Sequence, residues 1–557
     1  MGQASWTAWP HTEFASIART WHGEQLMTTE MLLGDEAVAL GALHSGIGGA
    51  FSYPGTPATE ILEFVQARAD STVSALWSAN EKVAYEEALG MSYAGKRALV
   101  SMKHVGLNVA ADPFMSSALT GARAGLVLAV ADDPGMHSSQ NEQDTRYFAE
   151  FAHLPLFEPS NQQEVYDMTR EAFEASERWS VPIIVRLVTR LAHSRSPVRL
   201  APLAQVISPK RPIVWREWTL LPVNARVRFR RLLELQPQLR EYAEHSPWNL
   251  LELRGKKGVI ATGLGNNYLR EVIGDRSDFS TLKLCVYPPP AGRIRQLVDH
   301  FDYILVIEEG YPFIERQVSG LLGLSGKHVR GKNTGALPAD GELSTEVVRA
   351  ALAMAPVTPF EPLRDLPARP PRLCDGCPHC DTFRALTEAV RDNPAPYLLS
   401  DIGCYTLGAL PPSSAVQTGV DMNASVSMAL GAAKAGVTPV VCTIGDSTFV
   451  HSGMTGLIGA AHADADMTVI ILDNATVGMT GGQEVMATGD DLLALIRGLG
   501  VSNDQLFCIE PLPKHHAKNV EILRQAIAHK GLSVIVAQRP CIQQVQRQKR
   551  QAAAAPA

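Results

Sequence analysis

Cysteine is scarce in this chain, and no apolar run is long. Eight cysteines in 557 residues are too few for the disulfide scaffold of a small secreted protein. The longest apolar runs, AGLVLAVA (124–131) and MTVIILD (467–473), fall well short of the roughly 20 residues of a membrane-spanning helix. The N-terminal MGQASWTAWPHTEF lacks the basic and apolar regions of a secretory signal. These absences predict a cytoplasmic protein with no membrane partner.

A large excess of charge of one sign is also missing. The formal net charge of −7 gives no electrostatic reason to expect a nucleic-acid partner. A chain of 557 residues is too long for one hydrophobic core, so we expect several domains.

What is present is an alternation of short apolar strands with helical patterns, which is typical of parallel α/β sheets. The predicted strands are ALVSM (98–102), GLVLAVA (125–131), VPIIVRLV (181–188), KGVIATGLG (257–265), YILVIEEG (303–310), PVVCTIGD (439–446), MTVIILD (467–473) and LSVIVAQ (532–538). Composition predicts an N-terminal extension (1–30), three α/β units (31–203, 256–357 and 373–545), a charged helical connector (204–255), a proline-rich linker (358–372) and a disordered tail (546–557). The basic run in RVRFRRLLELQPQLREYAEH (226–245) indicates a solvated helix face, with a docking surface as the alternative.

Two strand ends in the third unit predict a metal and phosphate site. One strand ends at Gly445-Asp446-Ser447, and the next ends at Asp473-Asn474. Ligands of open α/β sheets bind at the carboxyl edge, where helix N-termini offer N–H groups to phosphate. Carboxylate and amide oxygens suit Mg²⁺. Either motif alone is an ordinary turn, but the pair predicts a diphosphate held through a cation.

This pair of motifs resembles the thiamine-diphosphate-binding motif, and longer stretches extend the resemblance. They are SYPGTPATEI (52–61), ANEKVAYEEALGMSYAGKRALVSMKHVGLNVAADP (79–113), ADDPGMHSSQNEQDTR (131–146) and LCDGCPHC (373–380). Together they resemble the large (alpha) subunits of indolepyruvate ferredoxin oxidoreductases, within the thiamine-diphosphate-dependent 2-oxoacid:acceptor oxidoreductases. The resemblance covers about residues 30–545.

The resemblance implies an α/β fold with two thiamine-diphosphate-binding-fold domains built on parallel sheets. The pyrimidine-type domain would be 31–203 and the diphosphate-type domain 373–545, with a smaller transketolase-C-terminal-like α/β domain, 256–357, between them. The implied activity is oxidative decarboxylation of a 2-oxoacid, expected to be an arylpyruvate such as indolepyruvate, to an acyl-CoA or an acid. Electrons would leave through a [4Fe–4S] cluster. The alternative is a non-redox thiamine-dependent decarboxylase or lyase.

The resemblance also assigns residues to the cofactor. Asp446, the side chain of Asn474 and the carbonyl of Thr476 would bind Mg²⁺. A small-residue helix entry, GVDMNASVSMALGAAKAG (419–436), would help cradle the cofactor. Further candidate cofactor-binding residues are Gly445, Ser447, Asp421, Asn423 and Thr480.

One glutamate must activate the cofactor, and NEKVAYEEALG supplies Glu81, Glu86 and Glu87. On a helix, residues 81, 84, 85 and 88 share a face, so Glu81 points towards packed surface. The resemblance selects Glu81. Glu86 is the second choice, and three solvated glutamates are the remaining alternative.

The same resemblance places Thr56 near the thiazolium ring and the 2-oxoacid carboxylate. His104 and His137 are candidates for proton transfer or carboxylate binding, because histidine titrates near neutrality; a structural role is equally open. Related pyruvate-oxidising enzymes have an arginine where this chain has Asp132-Asp133. This difference argues against pyruvate as the substrate and leaves the carboxylate-binding residue open.

The cysteines of LCDGCPHC are spaced for a metal centre. By resemblance, Cys374, Cys377, Cys404 and Cys541 bind a [4Fe–4S] cluster, and Cys380 is a second-choice ligand. A structural zinc and free thiols remain alternatives. The other three cysteines, Cys285, Cys442 and Cys508, are predicted core residues.

The expected partners follow from the same resemblance. Large subunits of this family usually continue into a C-terminal ferredoxin-like domain with clustered cysteines, which this sequence does not show. Electrons are therefore expected to pass to another polypeptide, either the small (beta) subunit of the family or a ferredoxin-like acceptor. A dimer of heterodimers is expected, and coenzyme A is a possible cosubstrate.

Overall fold

The computed structural model describes residues 28–204, 215–357 and 371–554. Most of the predicted N-terminal extension and of the proline-rich linker lies outside these residues. Within them, no helix is both long enough and apolar enough to cross a bilayer.

The first unit is a parallel sheet covered by helices. Its strands are β1 (Thr29–Leu32), β2 (Gly49–Ser52), β3 (Ser74–Trp77), β4 (Ala98–Lys103), β5 (Leu126–Asp132), β6 (Leu156–Phe157), β7 (Ile183–Val188) and β8 (Ser196–Arg199). Its helices are α1 (Gly34–His44), α2 (Thr59–Arg68), α3 (Glu81–Ala94), α4 (His104–Val109), α5 (Ala111–Thr120), α6 (Thr145–Ala152), α7 (Gln162–Trp179) and α8 (Thr189–His193). β1 pairs antiparallel with β8, so ordered structure begins inside the extension predicted for 1–30.

The middle unit is a smaller α/β layer. Its helices are α9 (Trp215–Trp218), α10 (Pro222–His245), α11 (Gly263–Ile273), α12 (Ala291–His300), α13 (Phe313–Ser319) and α14 (Thr345–Ala351). Its strands are β9 (Leu251–Glu252), β10 (Lys257–Thr262), β11 (Phe279–Leu284), β12 (Val286–Tyr287), β13 (Tyr303–Ile307) and β14 (His328–Arg330), and five of them form a sheet in the order β14-β13-β10-β11-β9. The basic run on α10 is exposed, as predicted, except that Arg228 is buried and donates to the carbonyl of Leu119 at 2.8 Å.

The remaining strand, β12, joins the sheet of the first unit. That sheet has the order β12-β6-β7-β5-β4-β2-β3, and β12 pairs antiparallel with β6 while the other pairs are parallel. One hydrophobic core runs through both units, from Leu32 to Leu352.

Two buried arginines add to this junction. Arg146 on α6 donates to the carboxylate of Glu308, just after β13, at 2.7 Å. Arg186 on β7 donates to Asp132 at 2.6 Å within the first unit and to the carbonyl of Glu309, beyond β13, at 3.3 Å. Both guanidinium groups are fully buried. Because buried charges are tolerated only when they are paired, these contacts fix the middle unit on the first.

The third unit is an all-parallel sheet with the order β15-β16-β17-β19-β18. Its strands are β15 (Tyr397–Ser400), β16 (Val440–Gly445), β17 (Met467–Asp473), β18 (Leu506–Ile509) and β19 (Leu532–Gln538). Its helices are α15 (Pro378–Ala389), α16 (Ala424–Lys434), α17 (Asp446–Thr448), α18 (Met454–His462), α19 (Gly489–Gly498), α20 (His516–Ala528) and α21 (Ile542–Ala554). A π-helical turn, Phe449–Gly453, joins α17 to α18.

The tail expected to be disordered from residue 546 is instead helical as far as Ala554. Its sequence, QRQKRQAAA, consists of strong helix formers, which explains the difference. The α/β fold class predicted from the sequence is confirmed by these three largely parallel sheets.

Candidate active site

The carboxyl edges of the first and third sheets meet, and side chains cross between them. The Tyr53 hydroxyl lies 2.7 Å from Oγ of Ser447. The side-chain amide of Asn80 donates to the carbonyl of His451 at 2.8 Å. Tyr53 follows β2, Asn80 caps α3, and both partners follow β16. Candidate residues from 52–113 and from 443–483 therefore share one cleft.

Glu81 lies in this cleft with its carboxylate buried. It is the first residue of α3, where the N-cap Asn80 accepts a hydrogen bond from the N–H of Val83 at 2.9 Å. The buried positions of α3 include Glu81, Ala84, Tyr85 and Ala88, so the predicted inward face is confirmed. Oε2 of Glu81 lies 2.9 Å from Nε2 of His451.

The other two glutamates of this helix do not reach the cleft in the same way. Glu86 is half exposed and pairs with Lys82, while Glu87 accepts a hydrogen bond from Ser78 at 2.5 Å. The space for Glu81 depends on Gly106, since a Cβ there would lie 2.6 Å from Cγ and 2.7 Å from Oε1 of Glu81. Glycine in KHVGLN thus leaves the pocket into which the Glu81 carboxylate fits.

Asp446 is a buried carboxylate, and no cationic side chain contacts it among the described residues. It accepts hydrogen bonds from the backbone N–H groups of Ser447, Asn474 and Ala475, at 2.7, 3.1 and 2.7 Å. Burial is the main cause that raises its pKa to about 7, and the neighbouring charge of Asp473 also contributes. A carboxylate in this state would be stabilised by a bound cation.

Asn474 and Thr476 lie beside Asp446, as the motif spacing predicts. The Asn474 side-chain amide nitrogen lies 3.3 Å from Nε2 of His379, and its oxygen accepts from the N–H of Thr476 at 3.1 Å. His379 is fully buried, and burial lowers its pKa to about 4. A neutral His379 accepts a hydrogen bond from the amide nitrogen, which directs the Asn474 oxygen away from this ring.

The remaining candidates for cofactor binding have different positions. Asn423 is the N-cap residue of α16, and its N–H donates to Asp401 at 3.1 Å. Asp421 is exposed. Thr480 donates to the side-chain oxygen of Gln483 at 2.5 Å, and Gln483 in turn donates to Glu63 of α2 at 2.7 Å. Asn423 and Thr480 therefore lie on ordered turns, whereas nothing in the described contacts brings Asp421 towards the cleft.

Lys103 ends β4 inside the cleft, close to the Thr56 turn. A Cβ on Gly55 would lie 3.2 Å from Cδ of Lys103, so its aliphatic stem runs along this turn. Its ammonium donates to the carbonyl of Ser138 at 3.0 Å, and the Ser138 hydroxyl donates to the carbonyl of Thr56 at 3.1 Å. Burial is the main cause that lowers the pKa of Lys103 to about 8, while Asp133 and Glu81 oppose this shift.

Asp132 and Asp133, which follow one another near this turn, already accept hydrogen bonds from other residues of the chain. Asp132 is bound by Arg186. Asp133 accepts hydrogen bonds from the N–H of Ser138 at 2.8 Å, Ser139 at 2.7 Å and Thr189 at 2.7 Å. Asp133 thus holds the 138–139 turn in place, whereas Asp132 is paired with Arg186.

The two candidate histidines differ in burial. His104 is buried at the start of α4, with Nε2 3.0 Å from the carbonyl of Asn141, and its Nδ1 has no hydrogen-bond partner within the described chain. His137 is half exposed and lies 3.3 Å from Glu342 of the middle unit. His104 is therefore the better placed of the two for the cleft.

The cysteine motif lies at the same edge of the third sheet. A Cβ on Gly478 would lie 3.3 Å from Sγ of Cys404 and 3.9 Å from Sγ of Cys541. The Cys541 N–H donates to the carbonyl of Asn474 at 3.0 Å. Burial raises the pKa of Cys404 to about 11, and Cys541 and Cys374 contribute to this shift. Cys404 and Cys541, separated by 137 positions in the sequence, thus meet beside Gly478.

The first three cysteines form a tight turn into α15. Cys374 is exposed, Cys377 is buried and Cys380 is partly buried. Burial raises the pKa of Cys377 to about 12, with contributions from Cys380, Cys374 and Cys404. Of the predicted core cysteines, Cys285 and Cys442 are buried but Cys508 is exposed, because β18 is an edge strand.

Sequence reasoning did not find Lys103, His379 or His451. Lys103 and His379 lie inside the motifs SMKHVG and CPHC, which carry the family resemblance, but the burial of both side chains depends on distant segments. His451 lies six residues after Gly445, on the π-helical turn. No pattern in the sequence indicates that this turn faces α3.

Comparisons with known proteins identify the families that the first and third units match. Residues 41–243 match the family described as pyruvate flavodoxin/ferredoxin oxidoreductase, thiamine diP-bdg. Residues 401–537 match the thiamine pyrophosphate enzyme, C-terminal TPP binding domain. A solved 2-oxoglutarate:ferredoxin oxidoreductase from Magnetococcus marinus, with 2-oxoglutarate, coenzyme A and succinyl-CoA bound, is similar with a TM-score of 0.48 and 15% identity, over 58% of this chain and 65% of that chain.

Two curated relatives match over almost the whole chain. Indolepyruvate oxidoreductase subunit IorA of Archaeoglobus fulgidus is 38% identical, over 94% of this chain and 88% of the relative. The protein of the same name from Methanothermobacter thermautotrophicus is 36% identical, over 95% of this chain and 89% of the relative. On this evidence, the chain belongs to the IorA family of indolepyruvate oxidoreductase subunits.

Proposed function

We propose that this chain is the thiamine-diphosphate-binding subunit of a 2-oxoacid oxidoreductase whose substrate is an arylpyruvate such as indolepyruvate. The observation that carries the proposal is the contact between Glu81 and His451 at 2.9 Å. It joins the pyrimidine-type unit to the diphosphate-type unit at the edge that also holds Asp446 and Asn474. The family relationship supports oxidative decarboxylation of a 2-oxoacid as the reaction.

The residues at this edge fit Mg²⁺ and a diphosphate. Asp446 is buried without a cationic partner side chain among its described contacts, and the Asn474 oxygen and the Thr476 carbonyl would complete the protein's share of the ligands. Hard oxygen donors of this kind suit Mg²⁺. When bound, thiamine diphosphate supplies the nucleophilic carbon and the electron sink for decarboxylation.

In this cleft Glu81 would hold the proton at the aminopyrimidine ring. Its carboxylate is almost fully buried and faces His451, and Gly106 keeps space free beside it. A buried carboxylate next to one hydrogen-bond partner is suited to general acid–base work. His451 would orient Glu81.

Lys103 would bind the carboxylate of the 2-oxoacid. Its ammonium is buried beside the Thr56 turn, with Asp133 and Glu81 as its charged neighbours. An incoming carboxylate would make a charge-assisted hydrogen bond in a partly desolvated cleft, and such bonds are stronger than neutral ones. This assignment fills the role that an arginine has in related pyruvate-oxidising enzymes.

The cysteines fit a [4Fe–4S] cluster better than a single zinc ion. Four sulfurs around one zinc at about 2.3 Å lie about 3.8 Å from one another. Among the described residues, no three cysteine sulfurs come within 4.8 Å of one another, although Cys404 and Cys541 flank Gly478. A larger cluster separates its ligands further. We assign four cysteines as ligands of this cluster, with Cys380 as the second-choice ligand. The four are Cys374, Cys377, Cys404 and Cys541.

The cluster would pass electrons to a small (beta) subunit or to a ferredoxin-like acceptor, in a dimer of heterodimers. The acyl group would leave as an acyl-CoA or as the free acid. Both units that line the thiamine cleft belong to this chain, so the partner would be needed for electron transfer rather than for assembling the thiamine site.

The test uses the chain purified without oxygen, alone and with its small subunit. Iron and acid-labile sulfide are measured, and a panel of arylpyruvates, branched 2-oxoacids and pyruvate is assayed for CO₂ release and viologen reduction. We expect close to four irons per chain and viologen reduction with arylpyruvates. CO₂ release without viologen reduction, from a colourless protein holding one zinc, would support the non-redox decarboxylase instead.

A further inference from the structure

Three polar side chains outside the thiamine site meet at the surface of the first unit. Asp35 lies in the first turn of α1, Glu60 in the first turn of α2, and His193 ends α8. One ligand atom of each lies within 4.8 Å of the corresponding atoms of the other two. The packing of α1 on α8 explains the approach, since a Cβ on Gly34 would overlap the carbonyl of Leu191.

Asp35 is the unusual member of this group. Its side chain is completely buried, and neither carboxylate oxygen has a hydrogen-bond partner among the described residues. Burying a carboxylate without a partner is unfavourable. The described contacts therefore leave Asp35 in need of a proton or a cation.

Glu60 and His193 face the same point. Oε2 of Glu60 lacks a hydrogen-bond partner within the described ranges and lies 3.5 Å from Nε2 of His193. That distance is longer than an ordinary N–H···O bond. It matches the separation of about 3.4 Å between two ligands of one metal with bonds of about 2.1 Å. The side chains of His193 and Glu60 are 34% and 37% exposed, whereas Oε2 of Glu60 is itself buried.

We propose that Asp35, Glu60 and His193 form a binding site for a divalent cation of the Mn²⁺ and Zn²⁺ class, with water completing its coordination. One imidazole nitrogen and two carboxylates suit such ions. The cation would neutralise the buried Asp35 and cross-link three helices. Because α2 follows the turn that contains Thr56, the cation would also anchor that turn.

The probe is Mn²⁺, because carboxylate and water ligands suit it whereas thiolates prefer softer metals. The protein is first treated with chelator, freed of it, and then saturated with Mg²⁺ and thiamine diphosphate so that the thiamine site is filled. It is titrated with Mn²⁺ while free Mn²⁺ is followed by electron paramagnetic resonance. We expect wild type to bind one Mn²⁺ per chain at this site. Asp35→Asn and His193→Gln should bind that ion at least about tenfold more weakly, since replacing even a residue that only hydrogen-bonds to a metal ligand lowers affinity by this much.

Glu36→Gln is the matched control, because it removes a neighbouring carboxylate that contacts the N–H of Leu33 and Arg195 instead. It should bind Mn²⁺ like wild type. His193→Gln changes a surface residue, so the test does not depend on whether Asp35→Asn folds. Equal Mn²⁺ binding by wild type and both ligand variants would overturn the proposal. The proposal would also be overturned if wild type bound no Mn²⁺, which is the result expected if Asp35 and Glu60 share a proton.

Discussion

Replacing Lys103 with methionine should make the protein more stable and less active. The pKa of Lys103 is lowered from 10.5 to about 8, with burial as the main cause. At 1.36 kcal/mol per pKa unit, holding the ammonium charged in the folded protein costs about 3 kcal/mol. Methionine fills similar volume without a charge but loses the hydrogen bond to Ser138. We therefore expect Lys103→Met to raise the free energy of unfolding at pH 7 by about 1–3 kcal/mol.

The pH dependence of stability follows from the direction of the shift. Below pH 8 both the folded and unfolded chains carry the proton on Lys103, so the cost is fully present. Between about pH 8 and 10.5 the unfolded chain binds more protons, and stability rises with pH. This rise should be smaller in Lys103→Met. Urea unfolding measured at several pH values checks it, with Lys530→Met as the control because that side chain is 77% exposed.

The effect on activity should have the opposite sign. Losing a buried charge partner of the substrate carboxylate costs about 2–5 kcal/mol, so kcat/KM for the 2-oxoacid should fall by about 30- to 5,000-fold. In wild type, kcat/KM should decline as the pH rises through about 8, because Lys103 loses its proton; Lys103→Met should lack this decline. Unchanged kcat/KM in Lys103→Met, or a wild-type profile that stays flat through pH 8, would refute the assignment.

Three further variants test the rest of the site. Asp446→Ala should abolish binding of Mg²⁺ and thiamine diphosphate because the diphosphate loses its bridging cation; unchanged affinity in calorimetry would remove this role. Glu81→Gln should keep the cofactor bound but slow turnover by about 10²–10⁴. Glu86→Gln should leave turnover unchanged, because Glu86 is exposed and paired with Lys82. Slow turnover in Glu86→Gln but not in Glu81→Gln would show that Glu86 is the activating carboxylate. Cys541→Ser should bleach absorbance near 400 nm in anaerobically prepared protein while Cys380→Ser keeps it, and the opposite pattern would indicate a local site around the CxxCxxC run.

The sequence predicted those parts of the fold whose signal is local. The apolar runs at 98–102, 125–131 and 532–538 became β4, β5 and β19 because buried parallel strands have continuous apolar sequence. The two-residue strand β12 carries no such signal, and its pairing with β6 bridges about 130 positions. Its place in the sheet could not be read from the sequence around it.

The same distinction applies to the site. Asp446 and Asn474 were predicted because they follow recognisable strands and because parallel strands end at a common edge. His451 and Lys103 were not, since burial and partners decide their importance and both come from distant segments. The helical face of Glu81 was predicted from periodicity, but its partner across the cleft was not.

The position of β12 has a consequence for how the polypeptide must be assembled. A ribosome releases residues 28–204 before β12 exists, so β6 at first presents an unpaired sheet edge, and such edges promote aggregation. The first sheet is completed only after residue 287 has been synthesised, when the common core with the middle unit can also close. We therefore expect residues 28–204 and 215–357 to fold as one cooperative unit, and a fragment that ends near residue 204 to aggregate.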